Sequence, residues 1–163
     1  MVKWFYMSSQ RPSSPFTPAS AEQAFGPPMI GALLRIPLEA VQRRMLDRLH
    51  EHGFDDLDAA HLTVFQYPGP QGARPSELAA RLGVSKQALN YLLGELERLG
   101  YLERRADPRD LRSKRITLTD RGERAIETIR EAVSELERNW EQQLGTERFA
   151  RFYQLLRELA ESV

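Results

Sequence analysis

The stretch that decides the fold runs from Arg74 to Thr119 and reads RPSELAARLGVSKQALNYLLGELERLGYLERRADPRDLRSKRITLT. Its beginning predicts a short helix that starts at Arg74-Pro75 or at Ser76, because Pro and Ser are favoured at helix N-termini. Gly83-Val84 ends this helix, since Gly adopts the left-handed conformation that a helix C-terminus requires. The apolar residues between these limits recur with the period of a helix: Leu78, Ala79 and Leu82.

A second helix follows directly. Ser85 is suited to cap its N-terminus, and Gly100 is suited to end it. Its buried side is predicted to contain Ala88, Leu89, Leu92, Leu93, Leu96 and Leu99. Two helices joined by a short turn that contains Gly form a helix-turn-helix, whose second helix enters the major groove of DNA.

The end of the stretch predicts a β-hairpin. Two runs suited to strands, Tyr101 to Arg105 and Lys114 to Leu118, are separated by residues 106–113, which are rich in Asp and Arg. A basic hairpin behind a helix-turn-helix makes the unit a winged helix. We therefore expect a mainly α fold with a small β-hairpin wing and a role in DNA binding.

The segments on the N-terminal side have different characters. Residues 1–28 carry five prolines among Ser, Thr, Ala and Gln, a composition that cannot build a core and predicts a flexible arm. Apolar residues from Met29 to His52 recur at steps of three and four, which predicts one long amphipathic helix, bent at Pro37 where a backbone hydrogen bond is lost. A shorter helix from about Leu57 to Tyr67 and a loop rich in Pro and Gly at 68–72 lead into the central stretch.

Two further helices are predicted after the hairpin. The first begins at Asp120, where Glu123 completes a capping-box-like pair, and Gly145 ends it; Thr146 caps the last helix. Their apolar faces, and that of the first long helix, are too large for the central module to cover, so we expect a homodimer. The expected parts are a flexible N-terminal arm (1–28), a dimerisation helix (29–56), a winged helix-turn-helix lobe that binds DNA (57–119) and C-terminal dimerisation helices (120–163).

The composition argues against several classes of protein. The 163 residues include no cysteine, which excludes disulfides, thiol-based redox sensing and Cys-ligated zinc. No apolar run approaches the length of a membrane span, and the one at the N-terminus is too short for a signal peptide, so we expect a cytoplasmic protein. The chain has no Gly-rich phosphate loop, nucleophile elbow or convincing metal triad, which argues against an enzyme and against a cofactor.

Charge is unevenly distributed along the chain. The formal net charge is zero, but residues 72–118 include ten basic and six acidic side chains, so this segment carries +4 and the remainder −4. A polyanion responds to the local field rather than to the total charge. The distribution therefore favours nucleic-acid binding by the central stretch.

The exposed start of the second helix carries side chains suited to reading base edges. Gln and Asn can pair bidentately with adenine, Lys can reach guanine acceptors, and a Ser hydroxyl or a helix N-terminus can bind phosphate. A phosphate contact and a packing role fit Tyr91 equally, and a solvated polar face is the alternative for the whole set. The DNA-contacting residues predicted on the two helices are Ser76, Ser85, Lys86, Gln87, Asn90 and Tyr91.

The hairpin offers a second set of candidate DNA contacts. Arg109 and Arg112 stand at its tip, and Arg suits the strong negative potential of a narrow minor groove. Asp110 is placed to hold the Arg112 guanidinium in a fork-shaped pair. A solvated cluster of charges is the alternative. The residues expected to supply field and phosphate contacts are Arg104, Arg105, Lys114 and Arg115.

Two other groups of residues have competing interpretations. His50, His52 and His61 lack a clustered carboxylate or Cys at ligand spacing, so packing or solvated histidines are favoured over a metal site. Phe65, Tyr67 and Trp140 can line an effector pocket together with residues of the first helix, although aromatic residues at helical spacing are more often core.

The order of these elements resembles the MarR family of bacterial transcriptional regulators from about Ile30 to the C-terminus. The resemblance rests on Leu96-Glu97, the run Leu99 to Arg104, the run Asp107 to Arg112, the run Ile116 to Thr119, and Gly122. The chain departs from many members at Tyr91, where they carry Arg, and at Gly94-Glu95, where an Asp-Arg pair is common. It also lacks the cysteine that the redox-sensing branch uses.

The resemblance implies a homodimer of winged-helix subunits that dimerises through its N- and C-terminal helices and binds a palindromic operator in double-stranded DNA. Most such regulators are repressors, and a small-molecule effector would act by favouring a dimer whose half-site spacing no longer fits DNA. The residues identify neither an effector nor the operator. Two alternatives remain: a winged helix that makes protein or architectural contacts, and an electrostatic binder without sequence preference.

Overall fold

A computed structural model describes residues 29–65, 71–107 and 110–162, excluding the side chains at positions 111 and 112. The expected arm at 1–28 lies outside the described residues. Backbone contacts divide the chain into two compact units, Met1–Ile36 and Pro37–Val163. In chain order the described elements are α1 (Ile30–Glu51), α2 (Ala59–Phe65), α3 (Pro75–Leu82), α4 (Lys86–Arg98), β1 (Leu102–Asp107), β2 (Asp110–Leu118), α5 (Asp120–Leu144) and α6 (Thr146–Glu161).

The helix-turn-helix has the boundaries that its sequence predicts. Arg74 precedes α3, whose first residue is Pro75, and Gly83 ends the helix with a φ of 64°. Ser85 then caps α4 by accepting a hydrogen bond from the Ala88 backbone N–H at 3.1 Å. These local chemical signals therefore fix the turn between the two helices.

The core of the second unit forms around α4. Leu89, Leu93 and Leu96 are at most 1% exposed and lie in one cluster with the other buried apolar residues. The leucine period places Ala88 on this buried side, but Ala88 is exposed. It follows the cap by three residues, where the helix still faces solvent, so the burial prediction is wrong at that position. Other large side chains of the cluster that are fully buried are Leu49, Leu62, Leu78, Tyr101, Leu102 and Ile116.

The wing is longer than predicted. Strands β1 and β2 pair antiparallel with Leu102 opposite Leu118, and the register shifts between Ala106 and Asp107. The loop expected at 106–113 is therefore mostly strand. Residues 72 and 73, at the end of the expected loop, also pair with β2. The Gly72 N–H donates to the Ile116 carbonyl at 2.7 Å, and the Ile116 N–H donates to the Ala73 carbonyl at 2.9 Å.

The C-terminal helices have the expected extent but different caps. The side chain of Thr119, not of Asp120, accepts the N-terminal hydrogen bond of α5, from the Gly122 N–H at 3.1 Å. Gly145 occupies the cap position of α6, so that Thr146 is already helical. Helix α6 buries none of its residues, and its exposed large apolar side chains are Phe152, Tyr153, Leu155, Leu156 and Leu159.

Helix α1 is a single helix that continues through Pro37 and belongs to both compact units. The bend expected at Pro37 stays a prediction. In the first unit its apolar residues Ile30, Leu33 and Leu34 are exposed. In the second unit Met45 and Leu49 are buried in the core. Among the described residues, no helix is long and apolar enough to cross a membrane.

Candidate nucleic-acid interface

Helix α4 presents two faces of opposite character. Its leucine face is buried, whereas Lys86, Gln87 and Asn90 are exposed on the other side. Tyr91 is 66% exposed, so it does not pack in the core. Ser85 at the cap and Ser76 in the first turn of α3 are exposed as well. The six residues predicted to contact DNA from these two helices are thus all accessible.

Arg104 of β1 reaches back to α4. Its guanidinium donates to the Asn90 side-chain oxygen at 3.4 Å and to the Asn90 carbonyl at 3.3 Å, and it lies 3.5 Å from a carboxylate oxygen of Glu97. Only 22% of the Arg104 side chain is exposed. Arg104 therefore connects the wing to the helix and is partly neutralised by Glu97.

Asp107 forms an ion triad at the far end of β1, and sequence reasoning assigned it no role. Its carboxylate is fully buried and accepts hydrogen bonds from the Arg74 Nε and Nη2 at 3.0 and 2.7 Å. Nε of Arg115, in β2, lies 2.9 Å from the same oxygen. The hydrogen bond to Asp107 raises the pKa of Arg74 above its ordinary value. The triad thus joins the wing to the residue that precedes α3.

The remaining basic residues of the wing have varied surroundings. Lys114 and Arg105 are exposed, and Arg105 lies 2.5 Å from Glu103. Arg115 also donates to the Gly72 carbonyl at 2.5 Å, so it is held by the protein on two sides. Arg109 and the side chain of Arg112 lie outside the described residues. The fork-shaped pair expected between Asp110 and Arg112 lies outside them too, although Asp110 itself is exposed.

A second polar network ties the interface to α5. The hydroxyl of the fully buried Tyr101 donates to Asp56 at 2.5 Å, and Arg121 donates to both oxygens of that carboxylate at 3.1 and 3.0 Å. Arg121 also donates to the Leu99 carbonyl at 2.8 Å and lies over the Tyr101 ring. Burial, reinforced by Asp56, raises the pKa of Tyr101 well above its ordinary value. The end of α4 and the start of α5 are thereby held together.

The histidines have structural partners. His61 is buried with Nδ1 3.0 Å from an Asp58 carboxylate oxygen, His50 Nε2 lies 3.1 Å from the Leu57 carbonyl, and His52 Nδ1 lies 2.8 Å from the Arg48 carbonyl. No group of three metal-ligating side chains occurs among the described residues.

Two of the aromatic residues predicted to line a pocket, Phe65 and Trp140, are not among the residues that line a cavity on the surface between α1 and α5. Phe65 is buried edge-on against Tyr101, with ring centroids 6.2 Å apart, while Trp140 is half-buried. Tyr67 lies outside the described residues. The cavity has a volume of about 300 Å³ and is lined by polar and charged side chains, including Arg48, Arg130 and Arg138.

Comparison with known proteins bears on the fold and the family. A MarR family model matches residues 55–113. The uncharacterised HTH-type transcriptional regulator YkoM of Bacillus subtilis (strain 168) is 35% identical over 79 residues, which are 48% of this chain and 50% of that protein. The chain therefore matches about half the length of this curated relative.

Solved structures extend the likeness over most of the chain. The MarR family transcription regulator SP03579 has a TM-score of 0.64 at 26% identity, covering 88% of this chain and 87% of that one. Transcriptional regulator Tm0710 of Thermotoga maritima has a TM-score of 0.52 at 30% identity, covering 81% and 92%. A mutant of S. aureus MepR, solved bound to an oligodeoxyribonucleotide, has a similar fold with a TM-score of 0.51 at 22% identity, covering 83% and 99%. With its winged helix and flanking helices in the same order, this chain belongs to the MarR family of transcriptional regulators.

Proposed function

We propose that this protein is a transcriptional repressor that binds an inverted-repeat operator in cytoplasmic double-stranded DNA as a homodimer. The observation that carries the proposal is the exposed N-terminal half of α4, where Lys86, Gln87 and Asn90 project opposite a buried leucine face. A rigid core behind a polar reading face is the arrangement by which a recognition helix presents side chains to the major groove. The MepR structure supports DNA as the ligand, since that protein shares the fold.

Each group of exposed residues has its own part in this proposal. Gln87 and Asn90 would read adenine edges and Lys86 guanine acceptors, while Ser76, Ser85 and Tyr91 would contact phosphates. In the wing, Arg109 and Arg112 would enter the minor groove, with Asp110 orienting Arg112. Arg104 and Lys114 would add positive field, although Glu97 offsets part of the charge of Arg104.

The homodimer is proposed from the exposed apolar surface. Helix α6 buries none of its residues, yet Phe152, Leu156 and Leu159 are 37–45% exposed on it. Exposed apolar faces of this kind mark contact with another subunit. Residues 29–56 and 120–163 would then form the dimerisation region and 57–119 the lobe that binds DNA, with one recognition helix in each of two successive major grooves.

Regulation would act through the geometry of the dimer. A small-molecule effector that binds better to a dimer with the wrong half-site spacing would release the operator by shifting the population of conformations. The polar lining of the cavity between α1 and α5 favours a charged effector over an apolar one for that cavity.

The decisive experiment is selection from a pool of random DNA duplexes with purified protein at two salt concentrations. We expect enrichment of an inverted repeat, with centres about one helical turn apart. Gln87→Ala and Arg112→Ala should weaken binding to the selected repeat. Gln142→Ala and Arg124→Ala are matched controls, because both residues are exposed on α5 and neither lines the cavity, and they should leave binding unchanged.

The alternatives predict different results. A sequence-independent binder would show similar affinity for the repeat and for random DNA at every salt concentration. A winged helix that contacts proteins would lose nothing on the Gln87 and Arg112 substitutions. For the dimer, Leu156→Glu should yield monomers in sedimentation, whereas Glu158→Gln on the same helix should not; a wild-type monomer would refute the assembly.

A further inference from the structure

The triad of Asp107, Arg74 and Arg115 joins parts of the chain that are distant in sequence. Arg74 precedes α3, Asp107 ends β1, and Arg115 lies in the middle of β2. Contacts of 2.7, 2.9 and 3.0 Å from the two guanidinium groups converge on one oxygen of a carboxylate that is 0% exposed. A buried carboxylate is costly unless it is fully paired, so the arrangement constrains both arginines in position and direction.

The position of Asp107 allows this pairing to influence the direction in which the hairpin leaves the sheet. The register of the wing shifts between Ala106 and Asp107, so the carboxylate is placed where the regular ladder is interrupted. A bulge by itself re-aims a strand. Ser113, on the returning strand, approaches the same carboxylate oxygen at 3.5 Å and also donates to the Asp110 carbonyl at 3.0 Å. The end of β1 at Asp107 and the start of β2 from Asp110 to Ser113, which we call the outer hairpin, are thus both tied to the position of Asp107.

The electrostatic effect of Asp107 opposes its positional effect. The residue places a negative charge in the basic segment that would contact DNA under the proposed function. This charge offsets that of one of its two arginine partners. If the segment acted by charge alone, this carboxylate would weaken binding. Its full burial between two guanidinium groups indicates a different role.

We infer that Asp107 is the positioning residue of the wing, which holds the outer hairpin at a fixed angle to α3 and α4 so that helix and wing contact the same DNA site together. This inference rests on the proposed DNA-binding function. Arg74 and Arg115 act in it as partners of Asp107, and their one-third exposed side chains need not touch DNA. Asp107 thus lowers the electrostatic attraction to DNA but defines the geometry of the wing.

The test compares affinity for the selected operator with affinity for random duplex in the full-length protein. Asp107→Asn retains the shape of the side chain but adds one unit of positive charge per subunit. It should lower the ratio of specific to non-specific affinity by about tenfold or more, the scale of losing a base contact. Its affinity for random DNA should stay constant or increase. Glu103→Gln is the matched control, because it adds the same charge on the same strand, where Glu103 is paired with an exposed arginine, and it should leave the ratio unchanged.

A second variant keeps the inference testable if Asp107→Asn fails to fold. Arg74→Met removes one arm of the triad while Asp107 keeps Arg115 as a partner. It should also lower the specificity ratio, and the preference for bases flanking the half-sites should weaken more than the preference within them. Circular dichroism and the dimer mass must match the wild type for either variant to count.

The outcomes separate the two levels of proposal. If the wild type selects no sequence, the proposed function fails, and this inference fails with it. If the wild type selects an operator and Asp107→Asn binds it as tightly as Glu103→Gln does, the positioning role is refuted while the DNA-binding function stands. Equal losses for operator and random DNA with Arg74→Met would make Arg74 a phosphate contact and would also overturn the inference.

Discussion

Replacing Gly122 by Ala should be one of the most destabilising single-methyl changes in this protein. Gly122 lies in the first turn of α5, where its backbone approaches the Tyr101 carbonyl. A Cβ added at position 122 would lie 1.9 Å from the Tyr101 oxygen and 3.2 Å from Leu118 Cδ2. The obstacle is backbone, and that carbonyl also accepts a hydrogen bond from the Thr119 N–H at 3.2 Å. The helix therefore cannot accept the methyl group without moving away from Tyr101.

The cost can be estimated from this geometry. Relieving the overlap requires a backbone shift of about 1 Å or more beside the fully buried Tyr101, which places the change at the upper end of overpacking penalties, about 3 kcal/mol or more. For a chain of this length that corresponds to a lower melting temperature by roughly 6–12 °C. The resemblance to MarR regulators included this glycine, and close approach of the backbone gives it a physical reason.

Gly94→Ala is the matched control. Gly94 is exposed in the interior of α4, and an added Cβ would meet nothing within 4 Å. Alanine is favoured over glycine in a helix interior by about 1 kcal/mol, so this variant should be more stable than the wild type. Thermal and urea unfolding of both variants measure the two effects. If the melting temperature of Gly122→Ala stays within about 1 °C of the wild type, well short of the expected shift, the close contact at Tyr101 does not exist in solution.

Three further outcomes are expected. Ser85→Ala removes the cap of α4 and should lower the free energy of unfolding in urea by about 1 kcal/mol. Ser76→Ala, at an exposed position without a cap role, should change it by less than about 0.5 kcal/mol. Equal effects of the two substitutions would contradict the cap. Tyr101→Phe deletes the hydrogen bond to Asp56 and should cost about 1.5–3 kcal/mol, while Tyr153→Phe at a half-exposed position should cost almost nothing. The folded state raises the pKa of Tyr101, so it retains a proton that the unfolded chain releases near pH 10. The stability contributed by Tyr101 is therefore present below about pH 10 and decreases as the pH rises above it. An identical pH dependence of unfolding for Tyr101→Phe and the wild type above about pH 10 would show that this shift is absent.

The helix-turn-helix could be predicted almost to the residue because its limits are set by local chemistry. Pro75, Gly83 and Ser85 each act on the backbone within a few residues of themselves, and the leucine period indicates the buried face. The sequence does not single out Thr119 as the cap of α5, because Asp120 beside it is an equally good candidate by residue type. A choice between adjacent capping residues depends on the angle at which the chain enters the helix, which sequence alone does not contain.

The wing and its anchoring could not be predicted in the same way. Its strands extend beyond the predicted ones toward the tip, where Ala106 pairs with Lys114 and Asp107 with Asp110. Residues 72 and 73 also bond to Ile116 across more than 40 residues of chain, and such pairing leaves no local signal. In the sequence, Asp107 has the appearance of an ordinary charged residue in a polar loop. Its partner Arg74 lies 33 positions away, so the ion pair could not be predicted from neighbouring residues. The hint in the sequence is an acidic residue amid arginines on both sides, a pattern that a solvated turn would show equally.

The division of α4 into a buried and an exposed face has a consequence for how this protein can evolve. The leucines that hold the helix in place are at most 1% exposed, while Gln87 and Asn90 lie on the solvent side. Substitutions at such exposed positions usually change the free energy of unfolding by less than about 0.5 kcal/mol. After gene duplication, one copy could therefore acquire a new target sequence by a few substitutions on this face without first acquiring stabilising changes elsewhere. Selection on which genes are controlled and selection on folding act on different side chains of the same helix.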